Sequence, residues 1–69
     1  MNTFTKRLKM RLRRLRAAKG WTQVELAKKA RVTQALISQL EAGTKPTPSV
    51  VHILRIAKAL GVTVEELVK

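Results

Sequence analysis

The stretch that most constrains this chain runs from Gly20 to Gly43, where two threonines each open a short apolar-periodic segment. Thr22 is followed three residues on by Glu25, the spacing of a reciprocal capping box in which hydroxyl and carboxylate each satisfy the other residue's backbone N–H. Thr33 opens the next segment in the same way, with Leu36 where a capping carboxylate would stand. The stretch reads as two short helices joined by a tight turn, which the segments on either side must support. In the second helix, residues 34–42, Leu36, Ile37 and Leu40 share one face at helical spacing. Gln34, Ala35, Ser38 and Gln39 are left together on the other. A face meant only for water more usually carries Glu and Lys. Gln and Ser, by contrast, donate and accept hydrogen bonds at base edges without the cost of desolvating a charge.

The rest of the chain reads as support. Residues 1–5 form a loose arm, from which Phe4 can staple onto the first helix. That helix covers about residues 6–19, with Leu8, Leu12 and Leu15 on one stripe, basic side chains around the remainder and Gly20 as a left-handed cap. The next helix, 23–30, turns Val24, Leu26, Ala27 and Ala30 toward its neighbours. Trp21, just before the cap, is a core lid or staple; a duplex offers no free base face for it to stack on. Beyond Gly43 the Thr44-Lys45-Pro46-Thr47-Pro48 segment is an extended loop, with Thr47 as N-cap and Pro48 in the first turn of a helix over 48–60. That helix buries Val51, Leu54, Ile56 or Ala57, and Leu60. Gly61 ends it. Thr63 and Glu66 repeat the capping-box spacing for a last short helix carrying Val64, Leu67 and Val68.

At 69 residues the chain holds one domain, and its burial of apolar surface must be efficient. A hydrophobic content of 45% with almost no aromatics points to an all-α core of Leu, Val, Ile and Ala. The absence of cysteine removes disulfides and thiolate metal sites and fits a reducing cytoplasm. No apolar run approaches the roughly 18–20 residues of a membrane span, and no signal-peptide core is present. The formal charge of +11 is unevenly spread: residues 1–31 carry +10 and residues 32–69 only +1. Concentrating like charge destabilises a small domain, so the basic half is read as facing a polyanion rather than as a solvated, solubilising face. A basic amphipathic first helix can also lie on a membrane. Its narrow apolar stripe, with downstream helices to pack against, argues for the bundle instead.

The pattern Leu15-Arg16, Gly20, Thr22-Gln23, Glu25-Leu26-Ala27, Val32-Thr33, Ile37-Ser38, Leu40-Glu41 and Gly43 resembles the Cro/repressor (Xre) helix-turn-helix family of bacteria and their phages. The run from Ile56 to Thr63 continues the likeness, which spans about residues 7–68. The resemblance implies a compact five-helix bundle of the phage-repressor type over residues 6–69, with helix 34–42 in the major groove. Base contacts would fall to Gln34, Ala35, Ser38 and Gln39, and phosphate contacts to Thr22, Gln23, Thr33, Thr44 and Lys45, with Gln23 also bracing Gln34. It further implies a structural ion pair between Arg16 and Glu41. Two departures matter. Ala35 stands where some lambdoid repressors have glutamine, which makes a thymine methyl its natural partner. Arg31 stands where the family often has glycine, and if it must adopt positive φ it costs about 1 kcal/mol relative to glycine.

The implied function is a sequence-specific regulator of transcription, a repressor binding double-stranded DNA as a weak dimer formed mainly on a palindromic operator. Leu60, Val62, Val64 and Val68 would make the dimer contact. The protein would be cytoplasmic and nucleoid-associated, in a bacterium or a phage-infected cell. The alternative of another class is a protein-interaction module of the same fold, such as an antitoxin or a transcriptional bridging protein. RNA binding is weaker still, for want of an aromatic or arginine platform for unstacked bases. No catalytic set is present: two of the four glutamates are assigned to caps and Glu41 to the ion pair. His52, the one histidine, has no companion at metal-ligand spacing and is read as a surface or partly packed residue. Neither enzyme activity, metal, cofactor nor membrane partner is expected.

Overall fold

The computed structural model describes residues 3–44 and 48–69. Its described elements are five helices: α1 (Thr3–Ala18), α2 (Gln23–Ala30), α3 (Gln34–Ala42), α4 (Val50–Leu60) and α5 (Val64–Val68). Helix α1 packs on α3 and α5, α2 on α3 and α4, and α4 on α5. Every helix contributes to one core, from Leu8 and Leu12 of α1 through Leu26, Ile37, Leu40 and Ile56 to Leu67 of α5. Helices of 8, 9 and 5 residues do not persist alone in water, so this shared burial is what holds α2, α3 and α5 in shape.

The connections are short because single residues serve two helices. Each of α1 to α4 ends on a left-handed residue in a Schellman arrangement, with the following N–H reaching back to the last turn. After α2, for example, Arg31 N–H donates to Lys28 O and Val32 N–H to Ala27 O at 3.0 Å. The residues that follow the caps of α1, α2 and α4 are Trp21, Val32 and Val62, all packed against the core. Each also precedes a threonine N-cap and stands at staple spacing from a fully buried residue of the next helix: Leu26, Ile37 and Leu67. Three of the four left-handed positions are glycine; the fourth is Arg31, at φ 57° and ψ 45°. A side chain in this conformation costs about 1 kcal/mol relative to glycine.

Several boundaries and faces differ from those read in the sequence. Helix α1 begins at Thr3, within the arm expected over residues 1–5, and Thr5 is buried one turn ahead of Leu8. Met1 and Asn2 lie outside the described residues, as do Lys45, Pro46 and Thr47. Helix α4 begins at Val50 rather than 48: Ser49 is its N-cap, accepting from His52 N–H at 3.2 Å, with Pro48 buried just before it. Val24 of α2 is 41% exposed.

The larger correction concerns the face of α4. Val51 and Leu54 are about half exposed, while Ile53, Ile56, Ala57 and Leu60 are buried. Apolar residues surround more than half of this helix, so periodicity alone does not choose a side. The surfaces offered by α2 and α5 choose it. Ile53→Ala is expected to cost about 2–5 kcal/mol in denaturant unfolding, and Leu54→Ala less than about 1 kcal/mol. The reverse order would place the buried face where the sequence put it.

Candidate nucleic-acid interface

The site is built on a helix whose inner side is fixed by an ion pair. Glu41 sits in the last turn of α3 and is only 5% exposed. Its carboxylate accepts from Arg16 Nε at 2.6 Å and Nη2 at 2.9 Å, a bidentate geometry that only a guanidinium provides. The remaining terminal nitrogen, Nη1, donates to the Trp21 carbonyl at 2.6 Å. Gln23, the first residue of α2, donates its amide to Glu41 Oε1 at 3.3 Å. One buried carboxylate thus joins α1, the connection before α2, α2 itself and α3. The hydrogen bonds from Arg16 to Glu41 raise the arginine above its already high pKa, outweighing its partial burial. It stays charged at every pH the fold meets.

With that side fixed, α3 turns Gln34, Ala35, Ser38 and Gln39 outward, and all four are exposed. The N-caps stand at the openings of the two helices. The Thr22 hydroxyl accepts from Glu25 N–H at 3.0 Å while Glu25 Oε1 accepts from Thr22 N–H at 2.9 Å, and the Thr33 hydroxyl accepts from Leu36 N–H at 3.1 Å. Both hydroxyls keep a proton to donate, beside the positive ends of α2 and α3. These bonds hold the Glu25 carboxylate below its usual pKa, the Thr22 backbone N–H having the largest effect. Thr44 closes α3: its backbone N–H and hydroxyl both donate to the Gln39 carbonyl, at 3.0 and 3.3 Å. Lys45 lies outside the described residues.

Gln23 does not brace Gln34. Its amide goes to Glu41, because a buried carboxylate is the stronger acceptor within reach. The second hydrogen of that NH2 group remains available to a phosphate. Leu60 is 2% exposed and belongs to the core, so it is not a surface contact; Val62, Val64 and Val68 are half-buried against the same core. The exposed apolar residues lie nearby instead, where Phe4, Val50 and Leu54 share a depression with Val64 and Val68. The sequence reading also missed the other flank of α3. There Arg31 and His52 border a depression with Ala35 and Gln39. Only the glycine-to-arginine departure at the turn hinted at it.

The sequence model of one family, described as helix-turn-helix, matches residues 12–67. The chain belongs to the Cro/repressor-type helix-turn-helix family. This is a family of DNA-binding regulators of transcription. Within it, the chain is 42% identical over 55 residues to an uncharacterized HTH-type transcriptional regulator of Sinorhizobium fredii, covering 80% of this chain and 70% of that one. Among solved structures it is similar to the restriction-modification controller protein C.AhdI from Aeromonas hydrophila, with TM-score 0.82 and 36% identity over 88% of this chain and 91% of the other. It is also similar to a hypothetical transcription factor from Neisseria, with TM-score 0.88 and 29% identity over 96% and 75%. In helix-turn-helix terms α2 and α3 are the motif, and Arg16 braces it from outside. Among the described residues no helix is long and apolar enough to cross a membrane, and no group of His, Cys, Asp and Glu could hold a metal ion.

Two outcomes follow from this geometry. Removing either Arg16 or Glu41 alone strands a charge and is expected to cost about 2–4 kcal/mol, whereas replacing both with apolar residues recovers much of that loss. A double-mutant cycle by thermal melting measures the coupling, and additive effects near zero would mean that the pair holds nothing. The second outcome is acid-dependent. Glu25 has a lower pKa folded than unfolded, so its contribution is complete above the unfolded carboxylate pKa and disappears as pH falls through the depressed folded value. The stability gap between the parent and Glu25→Gln should therefore close on acidification across that window.

Proposed function

We propose that this protein is a sequence-specific repressor that inserts α3 into the major groove and binds a palindromic operator as a dimer. The observation that carries the reading is the outward face of α3: four exposed, uncharged side chains on a helix locked at its edge by Arg16 and Glu41. Gln34 and Gln39 offer paired donor and acceptor groups to adenine edges, Ser38 a hydroxyl, and Ala35 a methyl to thymine. Thr22, Gln23 and Thr33, with Thr44 and Lys45 beyond α3, hold phosphates on either side. The relatives described as a transcriptional regulator and a controller protein support a regulatory role. Repression is the simplest form of it, because occupying the groove already excludes other proteins from that DNA.

One recognition helix reads only a few base pairs, too little to find a site in a genome, which favours two copies on half-sites about one turn apart. The burial of Leu60 moves the candidate dimer contact to Val50, Leu54, Val64 and Val68, with Phe4 at the edge. The patch is small and each copy carries +11. Repulsion keeps the copies apart in dilute solution, and phosphate neutralisation on DNA removes much of it.

Selection from random duplexes at two salt concentrations tests the whole reading. Selected sites should be palindromic, with half-site centres about 10 base pairs apart and a log–log salt slope of about −5 per subunit. Gln34→Ala should lose about 1–3 kcal/mol on the selected site and much less on random DNA. No enriched sequence, or a slope shallower than about −2, would favour the protein-interaction alternative.

A further inference from the structure

Away from the recognition face, cations gather in a groove between the end of α2 and the second half of α4. Lys29, Arg31, Arg55 and Lys58 line it, over Ala30 and Ala59. No carboxylate is among its lining residues. The four glutamates have partners elsewhere: Glu25 caps Thr22, Glu41 holds Arg16, Glu65 meets Lys69 and Glu66 caps Thr63. Lys29 lies 4.8 Å from the Trp21 ring centroid, and Arg55 donates to the Arg31 carbonyl at 3.3 Å. Cations that share one groove with no carboxylate among them oppose folding unless an anion joins them.

The groove is continuous with the reading surface. Arg31 also borders the depression beside Ala35 and Gln39, so cationic surface runs from the flank of α3 around the turn and along α4 to Lys58. The residue that makes this link is the one non-glycine residue at positive φ among the described residues. Local conformation favours glycine there, and the arginine adds charge at the one place that joins the two surfaces.

We propose that this groove takes the sugar–phosphate backbone of the bound duplex outside the base pairs read by α3, drawing the flanking DNA toward the edge formed by α2 and α4. The proposal rests on the DNA-reading function above. Its floor of alanines lacks the aromatic and long aliphatic anchors of a protein interface and the bulky apolar side chains that a lipid surface takes up. A phosphate backbone needs neither, only cations in a row. Arg55 and Lys58 are three residues apart on α4 and so stand on one face of it, one turn after the other. DNA with flexible pyrimidine–purine steps in its flanks would bend into the groove most easily.

The experiment compares two duplexes, the selected operator alone and the same operator extended by about one helical turn on each side. The parent protein should bind the longer one about tenfold more tightly, with a salt slope steeper by about 2 per subunit. Lys58→Gln should lower that slope by about 1 on the longer duplex and leave the shorter unchanged, and Arg31→Gly, which also borders the reading surface, should lower it more on the longer duplex than on the shorter. Arg14→Gln, on the outer face of α1, sets the effect of net charge alone. Arg31→Gly relieves the left-handed residue, so its melting temperature should rise while its binding to the longer duplex weakens, which separates lost contact from lost fold. Losses equal on both duplexes, or no larger than that of Arg14→Gln, overturn the groove while the operator reading stands. Absence of preference for any operator overturns both. A groove that binds an acidic protein surface instead would show the first of these patterns, with operator preference kept and no dependence on duplex length.

Discussion

The Arg16–Glu41 ion pair is the interaction on which the arrangement of the helix-turn-helix depends. A carboxylate almost removed from water is costly unless charged, well-placed donors surround it. Here it receives two bonds from one guanidinium and a third from Gln23, while the guanidinium also holds the Trp21 carbonyl. Apolar packing alone lets short helices rotate and slide over one another at modest cost. A bidentate pair does not, because small rotations of α3 break its geometry. The outward direction of Gln34, Ala35, Ser38 and Gln39 is thus fixed by a bond at the edge of the same helix, one turn beyond Ser38.

The chain achieves a core with 69 residues by making its connections structural. Trp21, Val32 and Val62 each close one helix and staple the next, and the threonine after each satisfies the orphan N–H groups of the helix it opens. No residue in these turns is idle. Such turns tolerate few substitutions, which makes the arginine at position 31 informative about the surface and not about the fold.

Charge is partitioned in the same economical way. The four glutamates serve caps, the central ion pair or a neighbouring lysine, and among the described residues only Arg16 and Lys69 form an ion pair with one. The excess positive charge is therefore not a diffuse property of the composition. It lies on the outer face of α1, around the recognition motif and along α4, and in the groove between α2 and α4 a polyanion can neutralise it.

What could be read in the sequence is what local chemistry specifies. Threonine caps with their glutamates, left-handed glycines and the spacing of Leu36, Ile37 and Leu40 define where helices stop and start and which side of α3 is buried. They need only neighbours within a turn or two. The family pattern supplied the architecture and named Arg16 and Glu41 as partners 25 residues apart, a pairing that spacing alone does not reveal. The face of α4, the use of Ser49 as its cap, the engagement of Gln23 with Glu41 and the clustering of Lys29, Arg31, Arg55 and Lys58 all appeared only in three dimensions. In α4 apolar residues cover too much of the circumference for periodicity to discriminate, so the neighbours decide. The cationic groove joins residues from two helices and a turn, and distance between such residues is set by packing, not by position in the chain.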